Sequence, residues 1–343
     1  MLSSGTLLHN NRYQIIYLLG QGGMGSVYRA LDQTMNRAVA IKERAPAPNV
    51  SPQVLAQVRL QFQREVQILG TFSHPNLPHV YDFFSASGNE YVAMELIEGE
   101  SLEQIIRRAG AINEGAVRAW ARQVLDALIC IHSYNVIHRD VKPANIILKP
   151  ATGKVVLVDF GLVKLMDPNN PYTLPAVRGM GTIEYAPYEQ YGTGNAHTDA
   201  RSDIYALGAT LYHLLTGRAP VPASERLLDP AALPPPRTIN PRITSATEQF
   251  ILKAMELNSQ SRFQTAAEMK QVLLSLIVSP PQVPVTMPAA PMPTQQIVTE
   301  YCVKERQKRQ MKDAKRVTLK NGRPAMRGVC SVCGTKMFKF IKK

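Results

Sequence analysis

The chain is poor in several residue types, and each shortage closes an option. Of its 343 residues, one is tryptophan and four are cysteine. So few thiols give no disulfide framework of the kind that small secreted domains use. No run of about 18 apolar residues occurs, and the best stretch, "VLLSLIV" (Val272–Val278), is too short to read as a membrane span. The opening "MLSSGTLLHNNRYQ" lacks a basic segment followed by an apolar one, so no secretory leader is expected and a reducing, cytoplasmic setting is. Acidic residues are scarce as well, 26 against 39 Lys and Arg, for a formal charge of +13. That excess is local. From Glu300 to Lys343 there are 14 Lys and Arg against Glu300, Glu305 and Asp313, a net of +11, which leaves +2 for the rest of the chain. A basic surface suggests nucleic acid, so the tail carries that alternative by itself; a charge run is more often a solvated face.

What is present is a 45% hydrophobic, 19% charged composition, ordinary for a folded soluble chain. "YQIIYLLG", "GSVYRALD", "NRAVAIKE", "PHVYDFFSA" and "EYVAMELIE" read as strands separated by turn residues. A helix is expected between the third and fourth, opened by Ser51-Pro52 and carrying Phe62, Val66 and Leu69 on one face. After Gly99 the pattern turns helical. Capping pairs stand at Ser101 with Gln104, Ser245 with Glu248 and Thr265 with Glu268, and an apolar stripe runs through Trp120, Val124, Leu128 and Ile131. Strands followed by helices imply an α+β domain. Residues 279–298, uncharged to Gln296 and rich in proline, read as an extended linker.

Chemistry-bearing residues cluster in five places. "LLGQGGMGSVYRA" sets Gly20, Gly22, Gly23 and Gly25, with Gln21 and Met24 among them, between two strands. Glycines there let backbone N–H groups approach phosphate oxygens. A helix, not a strand, should follow in a dinucleotide fold, which argues against that reading. "VAIK" ends a strand on Lys42, and Glu65, on the inner stripe of the expected helix, needs a cationic partner. "VIHRDVKPANIIL" packs Asp140, Lys142 and Asn145 between apolar ends, and "VDFG" brings Asp159. Asn145 and Asp159 are oxygen donors of the kind magnesium takes. Phosphoryl transfer asks mainly for such positioning and charge.

In the order Gly-rich loop, VAIK, helix Glu, HRDVKPAN, DFG and "APYE", residues 13–278 resemble a protein kinase of the bacterial Hanks type. The resemblance implies a bilobal fold, with a β-rich N-lobe at 13–96 and a helical C-lobe at 97–278. It implies serine/threonine kinase activity on proteins, including the kinase itself, with ATP and magnesium. Asp140 would orient and deprotonate the acceptor hydroxyl, and Lys142 would neutralise the moving phosphoryl group. Asn145 and Asp159 would hold magnesium, and Lys42 would pair with Glu65. Leu19, Val27, Ala40, Met94 and Ile147 would enclose adenine, with the backbone of Glu95 and Leu96 at its edge. Asp203 would brace the catalytic loop and Glu189 would pair with Arg262. Thr173 is the expected phosphorylation site, before Tyr172, while Thr182 is expected to be structural. Cys130 reads as core. The rival is a catalytically silent scaffold on the same fold.

The tail, 299–343, ends in Cys330-x-x-Cys333-Gly, and Cys302 begins a second such turn whose partner position is Glu305. It resembles small zinc-ribbon-like modules in which four cysteines flank a "TLKNGRPA" hairpin. The resemblance implies zinc held by Cys302, Glu305, Cys330 and Cys333 in a basic β module.

Overall fold

Alternation sets the first sheet. In the computed structural model, β3 (Gly25–Asp32) alternates half-buried and buried residues along its whole length, the signature of a strand with one face on a core. It lies in a six-stranded antiparallel sheet with β1 (Leu7–Leu8), β2 (Tyr13–Gly22), β4 (Arg37–Arg44), β5 (Val80–Ala86) and β6 (Asn89–Glu95), ordered β1-β2-β3-β4-β6-β5. The structure describes residues 1–22, 25–44, 60, 63, 66–159, 164–165, 182–191, 198–278, 298–319 and 323–341. Gly23, Met24, Ser51, Pro52, Phe62, Glu65, Phe160, Gly161, Tyr172, Thr173 and all but Val298 of the Pro-rich linker lie outside them. Within that set two compact units separate, Met1–Pro280 and Pro281–Lys343.

One face of the six-stranded sheet buries Tyr13, Ile15, Tyr28, Val39, Ile41, Phe84 and Tyr91. The other contributes Ala40, Val92 and Met94 to the core shared with the helices, including Val66 and Leu69 of the helical turn α1 at 66–70. The helices are α2 (Leu102–Ala109), α3 (Glu114–Ser133), α4 (Ala200–Thr216), α5 (Ala223–Leu228), α6 (Pro236–Ile239), α7 (Ser245–Ala254) and α8 (Ala266–Val278). Ser101 and Gln104 form the expected capping box on α2. The cap of α7 falls one residue earlier than expected, on Thr244, whose side chain accepts from the Thr247 N–H. On α3 the stripe buries Val124, Leu128 and Ile131, and leaves Trp120 half-buried against the same core. Every residue of α4 from Ser202 to Thr216 is buried, as befits a helix enclosed on all sides.

Short strands frame the site. β7 (Glu100–Ser101), β9 (Ile146–Lys149) and β10 (Lys154–Leu157) form one small sheet, and β8 (Val136–Ile137) with β11 (Lys164–Leu165) another. A Cβ on Gly99 would stand 2.2 Å from the Leu148 carbonyl oxygen, so the segment leaving β6 presses against β9 only because that position is glycine.

The second unit is a four-stranded antiparallel sheet in sequence order, β12 (Thr299–Cys302), β13 (Gln307–Thr318), β14 (Pro324–Cys330) and β15 (Lys336–Phe340). Its small core is Val298, Cys302, Met311, Cys330 and Met337.

Candidate active site

The loop between β8 and β9 carries the polar cluster, and a buried carboxylate shapes it. Asp203, on the first turn of α4 and fully buried, accepts from the backbone N–H of His138 at 2.9 Å and of Arg139 at 2.7 Å. His132 Nε2 lies 2.8 Å from its Oδ2. Burial pushes the Asp203 carboxyl up, but the His132 contact, nearby His138 and the Arg139 N–H outweigh it and leave the group below its ordinary value. These bonds fix the backbone where Arg139 takes φ +68°, a left-handed conformation that non-glycine residues need help to hold.

Asp140 follows directly, 8% exposed. Asn145 Nδ2 donates to its Oδ2 at 2.8 Å and to its carbonyl at 2.9 Å. Lys142 Nζ lies 2.8 Å from the same Oδ2 and donates to Thr182 Oγ1 at 2.8 Å. The shared Oδ2 is thus tied down from two sides. Across the cleft Lys42 contacts Asp159. Burial works against the Asp159 charge, yet Lys42, with His138 and Lys142 behind it, holds the carboxyl below its usual range. The Asp159 carboxylate and the Asn145 amide oxygen, whose Nδ2 is turned to Asp140, are hard oxygen donors of the kind a divalent metal takes. The donor set therefore fits magnesium.

The strands set the facing wall in register. Gly20 pairs with Val27, Val27 with Lys42, Ala40 with Met94 and Val39 with Glu95. Ala40 and Met94 are buried, with Val27 and Leu96 packed on the same core. Leu19 is 45% exposed, and Ile147 pairs with Ser101 where β7 meets β9. Gly25 has φ +132°, and a Cβ there would fall 1.8 Å from the Glu43 carbonyl oxygen.

The family described as protein kinase domain matches residues 13–274. The chain belongs to the protein kinase family. It is 37% identical over 266 residues to serine/threonine-protein kinase PknD of Mycobacterium tuberculosis, covering 75% of this chain and 38% of the relative. It is 34% identical over 299 residues to serine/threonine-protein kinase PknA of Nostoc sp., covering 82% and 50% respectively. The kinase chain thus spans half or less of the length of these two relatives. Among solved structures, the apo form of PpkA-294 matches with TM-score 0.64 at 26% identity, over 80% of this chain and 99% of that one. Residues 301–340 match a domain of unknown function (DUF5679).

The kinase unit brings together Lys42, Asp140, Lys142, Asn145 and Asp159; the expected Lys42–Glu65 pair lies outside the described residues. Glu189 and Arg262 form a buried two-pronged pair at 2.6 and 3.1 Å. Ser202 Oγ donates to Glu189 at 3.1 Å. Two supports carry no local signal in the sequence: His132, next to Ile131, meets Asp203, and Gln190, next to Glu189, donates from Nε2 to the Arg139 carbonyl at 2.9 Å. Cys130 is half-buried on the helical core, where burial pushes its thiol up.

In the tail, the sulfurs of Cys302, Cys330 and Cys333 lie within 4.8 Å of one another. Glu305 is not among them. Its carboxylate lies 3.8 Å from Arg309 Nη2. Cys333 Sγ sits 3.2 Å from Thr335 Oγ1, and this bond with the Thr335 N–H brings its thiol down to about 7. The N–H of Glu305 would pull the Cys302 thiol down, but burial and the neighbouring Cys333 and Cys330 raise it.

Proposed function

We propose that the chain is a serine/threonine protein kinase that transfers the γ-phosphate of ATP to protein hydroxyls, its own among them. The observation that carries this is the Asp140 carboxylate, pinned at one oxygen by Asn145 and Lys142, with Lys142 also on Thr182. In this reading Asp140 Oδ1 takes the acceptor hydroxyl proton, and Lys142 balances charge on the moving group. Lys42 orients phosphates, with Asn145 and Asp159 as the metal donors. Magnesium, when bound, supplies positive charge against the phosphate oxygens. Leu19, Val27, Ala40, Met94 and Ile147 supply the apolar enclosure for adenine, with the backbone of Glu95 and Leu96 at its edge.

No helix among the described residues is long and apolar enough to cross a membrane. The four free cysteines suit a reducing, cytoplasmic compartment. In the tail, the converging soft donors suit zinc, which would supply the cohesion that so few core residues lack. No observation favours nucleic acid as the tail's partner.

The test is transfer of labelled phosphate from ATP to a general protein acceptor and to the chain itself. Wild type should label both, and Asp140→Asn neither. A folded wild-type chain that binds ATP with magnesium but transfers nothing would leave the silent scaffold as the reading.

A further inference from the structure

The cysteine cluster is one donor short, and the shortage has a direction. Cys302 closes β12, Cys330 closes β14 and Cys333 lies in the turn that follows, so the sheet itself delivers three sulfurs to one point. Cys302 and Cys330 are buried on the floor with Met311 and Met337. Cys333 is half-buried, and Val303 and Val332 beside the two turns are 78% and 61% exposed. The cluster is therefore closed below and accessible at the Cys333 side. Where a fourth donor would be spaced, the Glu305 carboxylate lies 3.8 Å from Arg309 Nη2, and the tail contains no histidine.

We infer that Cys302, Cys330 and Cys333 hold one zinc ion through three thiolates and leave its fourth position open to an outside thiol. This rests on the zinc reading above. Three thiolates make the centre anionic and electron-rich, so a water in the fourth position is poorly acidified and hydrolytic use is disfavoured. Soft donors select a further soft donor. The incoming thiol loses its proton to solvent and its sulfur displaces the water, with no change of oxidation state. The second negative charge this places on the centre is accommodated by the tail's local net of +11.

Cobalt(II) is the probe, loaded into the full chain in place of zinc, because sulfur-to-cobalt charge transfer counts thiolates. Wild type should bind one cobalt at three-thiolate intensity and rise to four-thiolate intensity with 2-mercaptoethanol. Glu305→Gln should behave as wild type. Glu305→Cys should start at the four-thiolate level and ignore added thiol. A wild-type spectrum indifferent to thiol overturns the open position while the metal reading stands. If Glu305→Gln then also alters the spectrum, the carboxylate closes the site. No sulfur-bound cobalt beyond that of Cys330→Ser overturns both.

Discussion

Replacing Asp203 with asparagine separates the brace from the base it holds. The carboxylate accepts from His132 Nε2 and from the backbone of His138 and Arg139, at 2.7 to 2.9 Å, in a fully buried position. Asparagine has nearly the same volume but a single acceptor, so its amide nitrogen must face at least one backbone donor. A buried donor left unmet costs about 1–3 kcal/mol, and the remaining bonds lose charge assistance, which roughly halves their strength. Asp203→Asn should therefore cost about 2–4 kcal/mol of stability, read by denaturant unfolding. Because Arg139 at φ +68° and Asp140 beside it depend on those bonds, kcat should fall by about 100-fold, the cost of a small misplacement. The pH dependence has a definite sign. The Asp203 carboxyl lies below its ordinary value in the folded state, so its contribution is fully present above the unfolded value near pH ~4 and is lost as pH falls through the folded one. The gap between wild type and Asp203→Asn should therefore shrink in acid, as the carboxyl takes up its proton. A gap under about 1 kcal/mol at neutral pH, or one that does not shrink in acid, would refute the reasoning.

Four further outcomes follow from the geometry. Asp140→Asn should reduce phosphate transfer by at least about 100-fold, the low end for a lost general base, with circular dichroism and ATP binding retained. Arg262→Ala strands the buried Glu189 carboxylate and should cost about 3–5 kcal/mol in denaturant unfolding; Glu189→Gln in the same chain should recover part of it. Thr182→Val removes the hydroxyl that Lys142 holds at 2.8 Å, and kinetics should show kcat falling with nucleotide KM unchanged. Gly25→Ala must move the strand pair, since its Cβ would meet the Glu43 carbonyl oxygen at 1.8 Å; calorimetric ATP affinity should drop while α-helical content stays.

Legibility in the sequence followed the range of the interaction. β3 announced itself because each of its residues alternates against one sheet, and α2 because its cap is contained in four residues. The catalytic loop was legible as a cluster of residue types, since Asp140, Lys142 and Asn145 sit within six positions and need one another's charges. What escaped was long-range pairing. Nothing local says that His132 meets a carboxylate 71 residues away, at 2.8 Å. Glu305 shows the limit of spacing: it stands where a second turn would place a donor, yet the sulfur cluster is Cys302, Cys330 and Cys333, and its carboxylate lies 3.8 Å from Arg309 Nη2.

The lone Trp120, half-buried in α3 against the helical core, makes the two units spectroscopically separable. The second unit contains no indole, so emission excited at the red edge of indole absorption comes from α3 alone. Cobalt bound at the cysteine cluster would absorb only there. One titrated sample therefore yields two melting curves from unaltered tryptophan and a substituted metal. If the curves move together when ATP is added, the tail senses nucleotide; if only the indole curve moves, the two units unfold as strangers on one chain.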